Sequence, residues 1–282
     1  MKCTVFVSVL LLIFSCSRQN IPEKDITLYD VKGKVNHLTI WHYYAMEEDG
    51  NILKGVRNYS GENDQTITFN KKGYVTQVYF YGSTDSLDNK LVRILDRNNR
   101  CLSEVGYNFE GEKTYENIWT YDENGNHIEQ AEYLEDSTLF TSHYFHYNDK
   151  NQLYAQMVYR SPDNGLYDSL HWVLNEKGQQ IEERNYGYYG MNNMARVEYD
   201  GDSKRYSKIY IYDNIEELSY ILEFKYNDHD LLSEGFQYNA DTLLQASIFF
   251  EYEYDKRGNW IRKVEYSDST AIGLEERKIV YY

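Results

Sequence analysis

Few side chains of this 282-residue chain stand at spacings that could do chemistry, and each group has a competing structural role. His143 and His146 are three apart, which on a helix would aim both rings at one metal but on a strand sends them to opposite faces. Glu129 with Glu132, and Glu182 with Glu183, are neighbouring carboxylates that could act as acid and base in glycoside hydrolysis. A catalytic pair is singular and set in a pocket, whereas these recur at places that are polar in most copies of a repeat. Clusters such as Asp122-Glu123-Asn124-Gly125-Asn126 offer oxygen ligands for calcium, yet none supplies the bidentate Glu that completes a calcium loop. Nucleophile motifs, zinc signatures and phosphate-binding glycine loops are missing. The expectation is no catalysis, no metal and no cofactor. What remains is aromatic. Tyr186, Tyr188 and Tyr189 run into a connection where sheet packing does not require them, and with Trp172 nearby they could stack on a sugar or grip a protein partner.

These residues hang on a repeat. An aromatic or Leu followed by Asn or Asp, two polar residues, and Gly, Asn or Asp recurs from Phe69-Asn70-Lys71-Lys72-Gly73 to Tyr254-Asp255-Lys256-Arg257-Gly258. The anchors Phe69, Leu95, Tyr121, Tyr147, Leu174, Tyr199, Tyr226 and Tyr254 follow one another at steps of 26, 26, 26, 27, 25, 27 and 28 residues. Before most anchors, apolar residues fall at every second position, as in Trp119 and Tyr121 or Phe145 and Tyr147. The tenth and twelfth positions after it are again apolar in most copies, and the ninth and eleventh lean polar, with Glu104, Gln130, Glu132, Glu183 and Lys263 reading as a solvated face. Each unit is thus a β-hairpin with one buried face, closed by a turn of residues that tolerate left-handed backbone. Cys101 stands where other copies place Val75, Leu153, Leu232 and Trp260, so a buried hydrophobe is expected there rather than a reactive thiol. With 31 tyrosines against two prolines, strand formers dominate. The expected fold is all-β, a meander of about nine or ten hairpins, with Tyr29 to Gly33 and Met46 to Asn51 as degenerate first units. A sheet this long must curl into an open superhelix or a barrel-like shell.

The start of the chain carries an address. Lys2, an apolar run from Val5 to Phe14 and the small Ser15 before Cys16 form an export signal whose apolar core is too short for a membrane span. Ile13-Phe14-Ser15-Cys16 resembles a bacterial lipobox, apart from the bulky Phe14, and this resemblance implies acylation of Cys16. The division expected is 1–15 signal peptide, 16–28 lipidated Cys and tether, and 29–282 repeat domain. The bilayer, through Cys16, is the expected partner, beside an unidentified protein or glycan. A net charge of −16 argues against nucleic acid and against anionic lipid surfaces as partners. Glu276 and Lys278 share a face with Tyr282, which argues against a lipid-facing strand at the C-terminus.

Tyr121-Asp122-Glu123-Asn124-Gly125-Asn126 and Tyr254-Asp255-Lys256-Arg257-Gly258-Asn259 are similar to the YD repeats of Rhs and teneurin-type proteins. The resemblance covers most of the chain and implies hairpins wound into a spiralling sheet with a binding or scaffolding role. This chain departs from it in its shortness, in having no cargo-like segment after the repeats and in its Leu95 and Leu174 anchors. The functional expectation is a lipid-anchored envelope module. Glycan binding, a toxin-shell or immunity role and a hydrolase using repeat-face carboxylates are the alternatives.

Overall fold

The computed structural model describes residues 24–58, 64–82, 85–163, 165–201 and 203–282; the signal segment and Cys16 lie outside the described residues. A helical turn, α1 (Asp25–Leu28), precedes nineteen strands. They are β1 (Val35–Glu48), β2 (Asn51–Arg57), β3 (Asp64–Phe69), β4 (Val75–Tyr81), β5 (Leu87–Leu95), β6 (Cys101–Asn108), β7 (Lys113–Tyr121), β8 (His127–Leu134), β9 (Leu139–Tyr147) and β10 (Leu153–Arg160). There follow β11 (Gly165–Leu174), β12 (Gln180–Gly187), β13 (Gly190–Tyr199), β14 (Tyr206–Tyr212), β15 (Leu218–Tyr226), β16 (Leu232–Asn239), β17 (Leu244–Tyr254), β18 (Trp260–Ser267) and β19 (Thr270–Tyr281).

From β3 onward each strand pairs antiparallel with the next, and β1 pairs with both β3 and β19, so the sheet closes into a barrel rather than an open superhelix. Along one edge of β1, β3 covers His37 to Ile40 and β2 covers Tyr43 to Glu48. The two therefore act as one interrupted stave, and the wall has eighteen. Where they part, the Asp64 carboxylate takes the place of a strand backbone by accepting the His42 N–H at 2.7 Å, and Asn58 N–H donates to the His42 carbonyl at 2.9 Å. The end of the β1–β2 hairpin folds over the outer wall, where Arg262 donates to the Ile52 carbonyl at 2.6 Å and Lys54 reaches Glu276 at 2.9 Å.

Neither degenerate unit is a stave pair. Met46 to Asn51 is this strap, and Tyr29 to Gly33 belongs to a segment running from Lys24 into β1. The expected count of nine or ten hairpins also misdescribes the wall, because the same turn closes both of its ends. At Asp122 the backbone bonds are Asp122 N–H to Asn126 O and Gly125 N–H to Asp122 O; at Asp213 they are Asp213 N–H to Glu217 O and Glu216 N–H to Asp213 O. The fourth residue lies in the left-handed region at both ends, as in Gly73, Asn99 and Gly125 or Gly111, Glu216 and Thr242. The leading Asp or Asn organises the loop with its side chain: Asp96 Oδ1 accepts the Asn98 and Arg100 N–H groups at 2.8 and 2.9 Å.

That extra left-handed residue has a consequence the alternation alone hides. It bulges the ladder after every turn, for example between Thr120 and Tyr121 opposite His127. Trp119 pairs with Gln130, so the apolar positions before an anchor share a face with the polar ninth position after it. The tenth and twelfth positions fall on the other side. The single buried face expected from sequence is therefore incorrect: anchor aromatics point inward beside Gln130, Glu132 and Glu183, and Tyr107, Tyr133, Tyr159 and Tyr238 point outward. The inner face is the one against which the N-terminal segment packs, and it is the more buried of the two.

Burial is uneven along the barrel. Ile26 and Val31 pack with Leu38, Ile40, Ile67, Phe69, Val75 and Val78 into one core, and Val197, Ile209, Leu222 and Phe224 form a second. Residues 24–28, read from sequence as tether, are thus partly built into the fold. Ile26 N–H donates to Gly73 O at 3.0 Å, Val75 N–H donates to the Asp25 carboxylate at 2.6 Å, and Lys32 N–H donates to Asn259 at 2.6 Å. All three contacts lie at the end formed by the anchor turns. We call this the anchor rim, and the opposite end the far rim.

Candidate functional site

Alternation separates most of the chemical groups picked from sequence. Glu129 and Glu132 point to opposite sides of β8, and Glu182 and Glu183 to opposite sides of β12. Glu182, outside, is clamped by Arg184 at 2.7 Å and Arg196 at 2.9 Å, which bring its carboxyl below the usual range against the opposing effect of burial. Glu183, inside, accepts the Trp172 indole N–H at 2.7 Å and the Gln180 amide at 3.3 Å, and burial pushes its carboxyl up. Neither pair can bracket one scissile bond. His143 faces inward, 2.9 Å from the Gln156 amide, and His146 faces outward. Cys101 is half-buried, 3.4 Å from the Ser103 carbonyl, and burial pushes its thiol up to about 12, so little thiolate exists at neutral pH. No group of three or more His, Cys, Asp or Glu placed to hold a metal occurs among the described residues.

The four aromatic candidates also divide. Tyr186 lies on the outer wall against His171, and Trp172 is buried on the inner face. Tyr188 and Tyr189 form the tip of the β12–β13 turn, 77% and 98% exposed, with their rings edge to face at 5.1 Å. This pair stands on the far rim with other apolar side chains that the turn geometry does not require. Phe109, Ile215 and Leu243 are each more than half exposed there. The anchor tyrosines, by contrast, are structural: the hydroxyls of Tyr121, Tyr147, Tyr199 and Tyr226 donate to the carbonyls of Cys101, His127, Gln180 and Tyr206 on the preceding strand, at 2.7 to 2.9 Å.

A feature missed by sequence reasoning is the charged network at the closing seam. Glu275 is buried between Lys263, Arg277 and His42. Burial alone would push its carboxyl up, but the two cations and the Lys263 hydrogen bond hold it below the usual range. Arg277 also lies over the Trp260 ring and donates to the Tyr29 carbonyl at 2.7 Å, tying the N-terminal segment to the wall. In sequence these residues look like any solvated strand face. Only the β1–β19 pairing brings Glu275 opposite His42.

Neither face of the wall offers a continuous apolar band. Outside, Glu129, Glu182, Arg196, Lys208 and Glu223 interrupt the tyrosines; inside, Gln130, Glu132, Gln156, Glu183 and Lys263 do so. A lipid-facing barrel needs such a band about 25 Å tall.

No family model matches the chain, and no curated protein matches it. Among solved structures it is similar to a porin-like protein from Bacteroides uniformis ATCC 8492, at 10% identity and a TM-score of 0.44, over 87% of this chain and 96% of that one. It is also similar to a porin-like protein from Bacteroides vulgatus ATCC 8482, at 9% identity and a TM-score of 0.25, over 88% and 98%. A third likeness is to the Photorhabdus luminescens Tc holotoxin pore, at 10% identity and a TM-score of 0.39, over 79% of this chain and 13% of that one.

Proposed function

We propose that this chain is an exported, lipid-anchored module of the bacterial cell envelope that binds or scaffolds rather than catalyses, and that its hairpins are YD-like repeats. The observation that carries the binding reading is the far rim, where exposed apolar side chains stand on turns whose backbone needs none of them. The address rests on the export segment and on Ile13-Phe14-Ser15-Cys16. Inside the wall, Trp172, Gln180 and Glu183 hydrogen-bond to one another. Metabolic labelling with palmitate tests the anchor: the wild-type chain takes up label and pellets with membranes, and Cys16→Ala does neither. Label on the Cys16→Ala chain would place the acyl group elsewhere and refute the anchor.

Glycan capture is the second reading, favoured by the nearly complete exposure of Tyr189 beside Tyr188. A polysaccharide gel should retard the wild-type chain and release Tyr188→Ser/Tyr189→Ser. Equal mobility of the two would set the glycan aside and leave a protein partner for the far rim.

A further inference from the structure

The two rims share one turn backbone but not one charge. By sequence, the far-rim turns at 82–86, 108–112, 134–138, 160–165, 187–190, 213–217, 239–243 and 267–270 hold eleven carboxylates and one basic residue, Arg160. The anchor-rim turns at 70–74, 96–100, 122–126, 148–152, 175–179, 200–205, 227–231 and 255–259 hold ten of each. The excess negative charge is thus gathered at the end away from Lys24, where the chain enters the fold.

At the anchor rim the basic residues are not evenly spread. A cavity of about 780 Å³ opens between the N-terminal segment and the first two anchor turns, and among the described residues its lining includes Lys24, Lys34, Lys71, Lys72 and Arg97 and no carboxylate. For a chain of net charge −16, five cations with no acid among them is a marked local reversal. Nearby acids are turned elsewhere. Asp25 accepts from Val75 N–H and faces Arg93, and Asp96 is engaged by Arg100 at 2.8 Å. Among the described residues no ion pair joins any of the five cations to a carboxylate. The walls are fixed: Asn70 donates to Asn99 at 3.1 Å, locking the two turns together, and Ile26 packs on Gly73, where a Cβ would meet its methyl at 2.9 Å.

We infer that this cleft binds a phosphate-bearing group. Several lysines and one arginine converging on a polar cavity can share an anion that no single surface lysine would hold, and arginine adds a bidentate fork. Of the two sources of such a group, a lipid headgroup suits the placement better, against what the net charge alone predicts, since the basic cleft opens beside Lys24, where the chain enters the fold, and the acidic rim lies at the opposite end. That choice of source rests on the anchored reading proposed above; the chemistry of the cleft does not.

The test titrates the full chain, in non-ionic detergent, with dihexanoyl phosphatidylglycerol, dihexanoyl phosphatidylcholine and inorganic phosphate, following affinity and the thermal midpoint. Wild type should bind phosphatidylglycerol more tightly than phosphatidylcholine, with binding weakened by salt. Lys71→Gln/Lys72→Gln and Lys34→Gln/Arg97→Gln should each lose about tenfold in affinity. Their midpoints without ligand should not change, because none of these side chains is ion-paired. Phosphate matching phosphatidylglycerol would keep the site and assign it to free phosphoryl groups. Equal affinity for the two lipids, or unchanged affinity in both variants, would overturn the inference. Titration in detergent needs no acylation, so failure of palmitate labelling and failure of the cleft are separate results.

Discussion

The same five-residue turn recurs at both rims, yet only the anchor rim is built into a core. There the segment from Lys24 to Lys34 lies on the inner wall, buries Ile26 and Val31, and is tied down by Asn259 and Arg277. The far rim carries carboxylates and exposed apolar tips on the turns of the same strands. Since that turn recurs at both ends, what sets them apart is the packed N-terminal segment and the side chains that the turns carry. One end is tied to the N-terminal segment, and the other presents exposed apolar side chains on its turns.

The sharpest way to break this contrast is to attack the anchored half. Glu275→Ala removes the partner of buried Arg277 and half-buried Lys263 and should cost about 4 kcal/mol in chemical denaturation; Glu112→Ala on the far rim should change stability by no more than about 0.5 kcal/mol. Equal losses would mean that the seam network is no more structural than the rim.

Glycines sharpen the comparison further. Gly73 and Gly111 hold equivalent turn positions at φ of 92° and 85°, so alanine is strained at both. At Gly111 the added Cβ meets open space, whereas at Gly73 it runs into Ile26. Gly111→Ala should cost about 1 kcal/mol and Gly73→Ala about 3 kcal/mol, the difference being the displaced N-terminal segment. Matched losses would show that the segment is not held at that turn.

A smaller effect comes from His127, which follows an anchor turn and lies 4.1 Å from the Phe145 ring centroid. Burial brings its imidazole down to about 4, despite a hydrogen bond to the Glu129 carbonyl. A folded value below the ordinary 6.5 means that the unfolded chain binds the extra proton first. The contribution is therefore complete above about pH 6.5 and is lost as pH falls toward 4, amounting to about 3 kcal/mol. His127→Leu should abolish this slope relative to wild type between pH 6.5 and 4; an unchanged slope would place the ring in solvent.

Local features of this fold are legible in the sequence. The anchors mark the turns, the Asp and Asn residues organise them, and the alternation marks strands. The facing of alternate strands is not legible from period-two counting, because the left-handed residue of each turn inserts a bulge that reverses which positions point inward. Trp172 and Tyr186 illustrate the cost: they look like neighbours in one aromatic patch, but they occupy opposite sides of the wall. Closure is harder still to read. It depends on pairing Val35 to Tyr44 with Gly273 to Tyr281, and nothing local in either stretch names the other. The seam network and the basic cleft are hidden for the same reason, as Lys24, Lys71 and Arg97 meet only once the first staves and the N-terminal segment are in place.

The account stands on that closure. Thr39 and Lys278 are directly opposed across β1 and β19 on the outer face, a separation that a disulfide spans. Thr39→Cys/Lys278→Cys should oxidise to an internal disulfide, read by mass spectrometry of the folded chain, and Thr39→Cys/Glu276→Cys, displaced along the same face, should stay reduced. No bridge in the first variant, or equal bridging in both, would contradict a barrel closed by β1 and β19.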